Sequence, residues 1–518
     1  MKKGIVYIIL IASVLLSIFY GFQKSGFHED EYYTYFSSNR SLGLYQPDRE
    51  WQDRQTIYDE FSVKPGEGFN YRLVKQVQSW DVHPPVYYFI FHTLCSFVPG
   101  TFTKWTGLIT NLIAFVISYM ALYALLKALR LSNKVMLLTL AFWGLNPQTV
   151  SCNMLIRMYA WLTAAIFICA YLHIRFIREY EGNKDDLKRY CIGLVLPIAV
   201  VSYLGVLIQY FYIFFFGCIG FALTIWLLVR KKDVRNAAVY VAGCCISMVF
   251  AVLTYPAMVH HLLGGYRGTG ATGSMFALDN TVMRLSFFCG LLNDFVFGKG
   301  LILIAAIFIG GVMLVLSKHQ KELKFTPEAV ILTAGTAGYF FLTTKAALLV
   351  GSASNRYEMP IYGLVILLIF WAVYYVADRI GNKMFTAAIT MVILVFLIKG
   401  HIFGGNVLFL YKEDVAKIDY ARENKENVAI VMFNPATPHN VWRLTDELLQ
   451  YDRVFYMNEE NLDKITEPDV VNADKIVLYV ADNDHKEDAL KNITDSCGKV
   501  ENMTQIDSED MWTTYEAQ

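Results

Sequence analysis

The first residues with types suited to chemistry follow the first apolar stretch of the chain. His28-Glu29-Asp30-Glu31 begins eight residues after the stretch that ends at Tyr20. Acidic side chains in such a place are often only a solvated loop end. A carboxylate near a low-dielectric boundary can instead remove a proton from an attacking hydroxyl. Asp30 and Glu31 are therefore candidate catalytic residues.

A second polar group, Asp81 and His83, directly precedes Pro84-Pro85. Two prolines stop the preceding chain from continuing as helix and suit the first turn of a new one. Asp81 and His83 are thus expected at the mouth of a short helix, where helix capping alone would explain them. The functional alternative is that His83 contacts a phosphate and Asp81 contacts an acceptor or a metal ion.

Two cations are expected within apolar stretches. Arg157 should lie about one turn inside a membrane-spanning helix, where an arginine is costly unless it is paired or functional. Snorkelling would satisfy it, and so would a lipid phosphate, which a planar guanidinium binds well. Lys345, about two turns from the end of its span, is open to the same two interpretations.

The remaining candidates come from two polar loops. One loop combines two histidines, an arginine and flexible glycines, a combination that suits a lid or a phosphate contact. The other directly precedes Pro360 and opens an apolar stretch. The candidates in these loops are His260, His261, Tyr266, Arg267, Arg356 and Tyr357.

The elements that must position these residues are membrane helices. The chain has 518 residues, of which 55% are hydrophobic and 17% are charged. Soluble proteins have roughly 45–50% apolar and 25% charged residues. Apolar runs of roughly 17–25 residues, enough to cross a bilayer, recur as far as residue 400. The formal net charge of zero gives no indication of a nucleic-acid partner.

The sidedness of the chain follows from its short basic loops, which stay in the cytoplasm. Six clusters mark that side: Lys2/Lys3, Lys127/Arg130/Lys134, Arg175/Arg178/Lys184/Lys188/Arg189, Arg230/Lys231/Lys232/Arg235, Lys318/Lys321/Lys324 and Arg379/Lys383. They predict a multi-pass cell-membrane protein with a cytoplasmic N-terminus and an extracytoplasmic C-terminus. The eleven expected spans are 4–20, 106–126, 135–150, 154–176, 190–208, 211–229, 236–256, 299–316, 328–350, 359–377 and 384–400.

The apolar segment 86–98 is too short to be a standard span, and both of its ends are expected outside. We interpret it as a re-entrant or interfacial helix, with a twelfth span as the alternative. The fold class is therefore an α-helical polytopic membrane protein. Its membrane domain covers residues 1–405, including a first outer loop at 21–104.

Composition changes near Tyr411, beyond which the chain is polar and acidic. Residues 411–518 are expected to form a small extracytoplasmic α/β domain. Its predicted strands are Val428–Phe433, Arg453–Met457 and Lys475–Ala481, and its predicted helix is His439–Gln450.

On this topology the candidate acids and cations all fall at the level of the outer leaflet, although they come from distant segments. Cations can hold a phosphate and stabilise it as it leaves, while a carboxylate activates an attacking hydroxyl. The combination suits group transfer from a phosphorylated lipid.

Four motifs in this order resemble the GT-C glycosyltransferases, in particular the group that includes bacterial protein mannosyltransferases and lipid A aminoarabinose transferases (glycosyltransferase family 39-like). The resemblance covers residues 1–405, and it rests on order and spacing because no single motif is specific. The motifs are Asp30-Glu31, His83-Pro84-Pro85-Val86-Tyr87-Tyr88, Arg157-Met158-Tyr159, and Asn355-Arg356-Tyr357 ahead of Pro360.

The resemblance implies a polyprenyl-phosphate-linked sugar donor, used on the outer face of the membrane. It implies a catalytic base at Asp30, with Glu31 beside it. It also implies phosphate-binding cations at His83, Arg157 and Arg356, with Tyr159 and Tyr357 beside the last two. Some members bind a divalent metal near the acids and others do not. Asp81 is out of register with the metal-binding acid of the aminoarabinose enzymes, so a metal cofactor stays open.

Three other classes were weighed against this interpretation. A transporter or flippase for lipid-linked glycans should show paired halves or broken midplane helices, which the sequence does not indicate. A polysaccharide polymerase or ligase would carry its key residues in a late outer loop. A nucleotide-sugar transferase is suggested only by Asp482-Asn483-Asp484, which also fits a simple turn. The sugar stays open, as does the acceptor, which can be a glycan, a lipid or a protein hydroxyl.

Overall fold

The computed structural model describes residues 3–39, 51–319, 325–402, 405–458, 467–481, 487, 490–491, 494–495, 503–509 and 511–517. The Asp482-Asn483-Asp484 triplet lies outside these ranges, as do Lys321 and Lys324 of one basic cluster. The described chain is mainly helical, with one small sheet. The predicted fold class, an α-helical membrane protein with a small C-terminal sheet, is confirmed.

The α-helices are numbered in chain order. They are α1 Lys3–Gln23, α2 Glu29–Asn39, α3 Arg54–Asp59, α4 Tyr71–Trp80, α5 Val86–Ser96, α6 Lys104–Ala128, α7 Asn133–Gly144, α8 Pro147–Met154, α9 Tyr159–Asn183, α10 Leu187–Arg189, α11 Leu196–Ile208, α12 Tyr212–Ile225, α13 Val234–Thr254, α14 Ala257–Leu263, α15 Tyr266–Phe276, α16 Thr281–Leu291, α17 Leu301–His319, α18 Pro327–Ala346, α19 Tyr362–Ile380, α20 Lys383–Ile402, α21 Asp414–Glu423, α22 Thr445–Leu448 and α23 Pro468–Val471.

Short π-helical and 3₁₀ stretches extend several of these helices. The π-helical stretches are Tyr190–Val195, Trp226–Arg230 and Leu292–Val296, and the 3₁₀ stretches are Gly351–Tyr357, Met359–Ile361 and Pro438–Leu444.

Eight helices in the described residues are long and apolar enough to cross a membrane. They correspond to eight of the eleven expected spans, so the multi-pass character is confirmed and the count of eleven is not. The expected spans at 299–316 and 328–350 are not among the eight, although α17 is apolar over Leu301–Ser317. The helix pair around residues 267–296 is apolar enough as a whole but bends by 107°. Helix α5 has 11 residues, about half of what a bilayer requires.

The expected span at 135–150 is wrong, because the chain forms α7 and then α8 with a break between them. Asn146 has an extended backbone, as the residue before a proline prefers, and its side chain accepts the N–H of Gln148 at 3.0 Å. Pro147 then opens α8, since the first turn of a helix does not need its missing N–H.

The start expected for the next span is also wrong. It was placed at residue 154, but residues 155–158 are not helical and α9 begins at Tyr159. Arg157 consequently lies in a break between two helices and not inside one.

By compactness the chain divides into two units. The first unit is Met1–Gly21, Gln78–Ile90 and Gly107–Leu408, and the second is Phe22–Val77, Phe91–Thr106 and Phe409–Gln518. The change in composition along the sequence predicts a single domain boundary, between residues 405 and 411. The structure instead groups most of the first loop with the C-terminal segment.

The second unit is built on a six-stranded sheet with the order β1-β3-β2-β4-β6-β5. Strands β2 to β4 run parallel, and the other pairings are antiparallel. The strands are β1 Trp51–Asp53, β2 Val428–Met432, β3 Arg453–Met457, β4 Ile476–Ala481, β5 Met503–Glu509 and β6 Trp512–Ala517.

Strands β2, β3 and β4 match the predicted strands and are almost fully buried, as parallel strands usually are. The predicted helix at His439–Gln450 is a 3₁₀ turn followed by the short α22. Strand β1 comes from the first loop and pairs with β3, so that Trp51 lies opposite Phe455. The first loop is therefore hydrogen-bonded into the C-terminal sheet.

Candidate active site

The two neighbouring acids of the first loop have different environments. Glu31 lies in the first turn of α2 and accepts the backbone N–H of His28 at 2.6 Å, as in a capping box. The same carboxylate oxygen accepts from Lys24 Nζ at 2.9 Å, and both side chains are fully buried. Lys24 also donates to the Phe409 carbonyl at 2.9 Å. Glu31 thus closes the helix and pairs with a buried cation, which makes it a positioning residue.

Asp30 keeps 29% of its side chain exposed, at the N-terminal end of α2 where the helix dipole favours a carboxylate. Its backbone N–H donates to His28 Nδ1 at 3.0 Å. That nitrogen therefore acts as an acceptor and carries no proton, although it lies 3.7 Å from Asp30 Oδ2. The environment keeps the Asp30 carboxylate accessible and leaves it suited to accept a proton.

In the first unit, Asp81, His83 and Arg157 form one hydrogen-bonded chain, here named the Asp81–Arg157 chain. Asp81 Oδ2 lies 2.7 Å from His83 Nδ1, and His83 Nε2 lies 3.0 Å from Arg157 Nη2. Arg157 Nη1 donates to Tyr88 OH at 3.1 Å. A guanidinium only donates, so His83 Nε2 accepts and the ring proton sits on Nδ1, facing Asp81.

The charges of the chain control the ionisation of Asp81. Burial would raise the pKa of Asp81, but His83 and Arg157 outweigh it and hold the pKa below the ordinary value of 3.8. Asp81 is therefore a carboxylate at neutral pH. The Asp81 carboxylate and the buried Arg157 guanidinium then lie on either side of the His83 imidazole.

The break that carries Arg157 is stabilised by a residue that the sequence did not single out. Asn111 of α6 is fully buried, and its Nδ2 donates to the carbonyls of Asn153 at 3.2 Å and of Leu155 at 2.6 Å. The Leu155 carbonyl also accepts the backbone N–H of Arg157 at 2.7 Å, so both donors hold the chain where the helix is interrupted. Gly107, one turn earlier, provides room for Ile156, because a Cβ there would clash with the Ile156 side chain.

Of the paired histidines, His261 is buried and His260 is exposed. His261 Nδ1 lies 2.9 Å from Tyr210 OH, and its Nε2 lies 3.4 Å from the Ser79 carbonyl, two residues before Asp81. Burial lowers the pKa of His261. The structure therefore brings His261 next to the Asp81 segment. Arg267 is exposed, and the side chain of Tyr266 is outside the described part.

Lys345 does not have the surroundings expected of an anion-binding residue. Its ammonium donates to Thr281 Oγ1 at 2.9 Å, to the Ala277 carbonyl and to Asn280 Oδ1. Arg284, which the sequence did not single out, donates from Nε to the Thr344 carbonyl at 2.7 Å and from Nη2 to the Ala347 carbonyl. The two residues form a reciprocal link between α16 and α18, here named the Arg284–Lys345 latch.

Arg356 and Tyr357 lie at the end of the 3₁₀ stretch Gly351–Tyr357, and both are buried. The guanidinium of Arg356 lies 5.2 Å from the centre of the Tyr357 ring. Tyr159 meets Tyr357 edge to face at 5.9 Å, and Tyr339 OH donates to the Tyr357 carbonyl at 2.9 Å. These three candidates are therefore assembled as one cation–aromatic group.

This group is supported by a buried amide network. Asn355 Nδ2 donates to Gln148 Oε1 at 2.5 Å, and Gln148 Nε2 donates to the Asn406 carbonyl at 2.5 Å. Tyr362 OH donates to Asn355 Oδ1. No local pattern indicates the link between Gln148 and Asn355, because the two residues are 207 positions apart.

The next residue, Glu358, was also missed. It is fully buried, and its Oε1 accepts from Thr344 Oγ1 at 3.3 Å. Burial raises the pKa of Glu358 well above its ordinary range, which favours the protonated acid. Its position in the sequence, an acidic residue between Tyr357 and Pro360, could have marked it as a candidate.

Among the described residues, no three His, Cys, Asp or Glu side chains are arranged to hold a metal ion.

No protein-family model matches the chain, and no curated protein is significantly similar to it. Solved structures do match. One is the crystal structure of ArnT, an aminoarabinose transferase from Cupriavidus metallidurans, bound to undecaprenyl phosphate. The match covers 100% of this chain and 98% of the ArnT chain, with a TM-score of 0.51 and 10% sequence identity. An Archaeoglobus fulgidus oligosaccharyltransferase in complex with Zn and sulfate covers 91% of this chain and 67% of its own, with a TM-score of 0.48 and 11% identity. The likeness to ArnT shows that the chain has the GT-C fold.

Proposed function

We propose that the protein is a membrane glycosyltransferase that moves a sugar from a polyprenyl-phosphate-linked donor to an acceptor hydroxyl. The observation that carries the proposal is the Asp81–Arg157 chain, which holds a buried guanidinium at a helix break in a GT-C fold. A buried guanidinium is well suited to a phosphate ester, because its planar N–H groups can donate two parallel hydrogen bonds. The ArnT structure of the same fold holds undecaprenyl phosphate, which supports a lipid-linked donor.

In the proposed reaction, the Asp30 carboxylate accepts the proton of the acceptor hydroxyl as its oxygen attacks the anomeric carbon of the sugar. The bond between that carbon and the phosphate oxygen breaks, and polyprenyl phosphate leaves with the bonding electron pair. Arg157 stabilises the negative charge that develops on the leaving phosphate, and Arg356 is a second cation for this role. Glu31 acts through Lys24 and the helix terminus to hold Asp30 in place.

We also propose the orientation, with a cytoplasmic N-terminus and the residues after α20 on the outer side. The six basic clusters support it through their preference for the cytoplasm. A single cysteine introduced at Thr101 should react with an impermeant thiol reagent added to intact cells. Reaction only after the cells are opened would overturn this orientation.

The experiment that tests the activity uses the full chain in phospholipid vesicles with radiolabelled undecaprenyl-phosphate hexoses and pentoses. The readout is release of undecaprenyl phosphate in the presence of cell-envelope acceptors. We expect turnover by the wild type and a loss of about 10²–10⁴-fold in Asp30→Asn, the size of effect typical of a general base.

The matched control is Glu67→Gln, which removes an exposed acid of the same loop. It should keep wild-type turnover. Unchanged turnover in Asp30→Asn would remove Asp30 from the mechanism. Movement of the intact donor across the vesicle membrane, without release of undecaprenyl phosphate, would favour the transporter class. Consumption of nucleotide sugars would overturn the proposal that the donor is lipid-linked.

A further inference from the structure

One edge of the second unit exposes a group of large apolar side chains. Phe69 is 46% exposed, Tyr71 39%, Phe97 69% and Val98 41%. Elsewhere among the described residues of this unit, only Phe22, Val415 and Ile506 are large, apolar and exposed. Phe22 ends a spanning helix, and the other two are isolated. The first four residues therefore stand out, and we name them the aromatic edge.

The members of the aromatic edge are close together because the start of α4 packs beside the end of α5. The rings of Phe69 and Phe97 meet edge to face at 5.4 Å. The backbone N–H of Phe69 donates to Ser96 Oγ at 2.9 Å. Tyr71 OH lies 2.9 Å from Thr93 Oγ1. The edge is thus a structured surface joined by specific contacts.

Phe69 adopts a backbone conformation that large side chains rarely take. Its φ is +59°, in the left-handed region that favours glycine. The conformation is held by the Ser96 contact and by the Asn70 N–H, which donates to His92 Nε2 at 3.0 Å. Strain that the surroundings hold in place is common at functional positions. Here the strain keeps an apolar ring at the surface.

Basic residues flank the aromatic edge. Arg72 and Lys75 are exposed on α4, while Val74 and Val77 of the same helix are buried. The helical period therefore places Arg72 and Lys75 on the face that Tyr71 shares. Glu67 is the exposed acid of the adjoining loop. Aromatic rings beside Lys and Arg are typical of segments at a membrane interface.

We infer that the aromatic edge inserts into the headgroup region of an anionic bilayer and anchors the second unit to it. Val98 lies six residues before Lys104, where the spanning helix α6 begins, so the chain between them reaches at most about 20 Å. The charges of Arg72 and Lys75 complement anionic headgroups. Four side chains are far fewer than the roughly 20–30 residues per side of a stable protein interface, which favours lipid as the occupant.

The test places the photo-crosslinking residue p-benzoylphenylalanine at Phe97 in the full chain, reconstituted in phosphatidylcholine vesicles with phosphatidylglycerol. The matched control carries the same residue at Ile506, which is exposed on β5 of the same unit. Mass spectrometry should find phospholipid attached at position 97 and little at position 506. Equal, low attachment at both positions would overturn the inference. Crosslinks at position 97 to another protein copy would overturn lipid as the occupant.

Two further variants separate anchoring from folding. Phe69→Gly relieves the backbone strain, so the thermal midpoint should not fall while lipid crosslinking at position 97 falls several-fold.

The double variant Arg72→Gln/Lys75→Gln should lose the enrichment of phosphatidylglycerol among the crosslinked lipids, since each basic group near an anionic surface contributes roughly a fivefold preference. Lys425→Gln, an exposed site in the same unit, is its control and should keep the enrichment. Unchanged enrichment in the double variant would contradict the role of the charges. None of these readouts requires sugar transfer, so they can fail or succeed independently of the proposed activity.

Discussion

Two regions of the first unit hold equally buried cations in different ways. Arg157 is 3% exposed in the Asp81–Arg157 chain, while Lys345 and Arg284 are 2% and 7% exposed in the Arg284–Lys345 latch. Arg157 donates to side chains, the His83 ring and the Tyr88 hydroxyl. Arg284 donates to backbone carbonyls near the end of α18, and Lys345 donates to three oxygens at the junction of α15 and α16.

The difference shows that burial alone does not identify a functional cation. Carbonyls at a helix end have no partner within the helix, and they cannot turn away to find one. Arg284 satisfies such carbonyls and is therefore part of the fold. Lys345 donates to one carbonyl, of Ala277, and to the side chains of Asn280 and Thr281. For Arg157 we propose that a contact to the His83 or Tyr88 side chain can be exchanged for a ligand oxygen.

The largest effect is expected for Arg157→Met. Loss of a charge-assisted contact to the leaving phosphate should lower kcat/KM for donor turnover by about 10²–10³-fold. Arg157→Lys should recover part of the loss, because lysine keeps the charge but not the planar fork. Turnover in vesicles measures both variants. Wild-type kinetics in a folded Arg157→Met protein would place Arg157 in the same structural class as the latch.

The latch should show the opposite pattern. Lys345→Met leaves buried oxygens without a donor, which typically costs about 1–3 kcal/mol for each group in the free energy of unfolding. Thermal unfolding in detergent should detect the loss, while kcat/KM of the folded fraction stays within about threefold. Arg284→Met should behave alike, and the exposed Lys188→Gln is the control. A kinetic defect larger than the defect in Arg157→Met would reverse the comparison.

A smaller kinetic effect is expected for Asp81→Asn. An amide can donate to His83 Nδ1, so the imidazole proton is no longer held on that nitrogen and the contact with Arg157 loosens. We expect kcat/KM to fall by roughly tenfold, because the removed group acts only through a second residue. Asn111→Ala, which removes one of the two donors to the Leu155 carbonyl, tests the other support of Arg157. Normal turnover in both variants would show that Arg157 needs neither support.

The smallest effect concerns pH. The pKa of Asp81 is held below 3.8, so its charged form favours the folded state. This contribution is complete above the ordinary pKa and is lost as the pH falls through 3.8 and below it. Between pH 6 and pH 3, the free energy of unfolding should therefore fall further in the wild type than in Asp81→Asn, by about 1 kcal/mol or less. Unfolding experiments at both pH values measure this difference. An equal acid loss in the two proteins would show that the charge of Asp81 is not linked to folding.

Local patterns predicted much of the fold. Thr326-Pro327-Glu328 is a pattern typical of a helix start, and Thr326 caps α18 there by accepting the Ala329 N–H. Pro84-Pro85 predicted the start of α5, which begins at Val86. The break at Asn146-Pro147 had a local signal too, since an Asn-Pro pair favours a turn, but the apolar run around it suggested a continuous span.

Other features had no local signal. The pairing of β1 with β3 joins residues about 400 positions apart, and three residues are too few for a strand pattern. The different environments of Asp30 and Glu31 depend on Lys24 and on the Phe409 carbonyl, which comes from the far end of the chain. Lys345 and Arg157 could not be told apart, because hydropathy indicates depth and not the identity of the partner.

The sequence by itself determined the membrane class, most of the spanning helices, the three parallel strands of the C-terminal sheet and the set of charged residues that could take part in chemistry. These properties depend on apolar content and on short-range periodicity, which any stretch of about 20 residues carries. Only the tertiary structure decided which hydrogen-bond partners each charged side chain has. That outcome depends on which distant backbone carbonyls and side chains come within about 3 Å of each charged group. The order of residues along the chain does not indicate which distant groups form hydrogen bonds of that length.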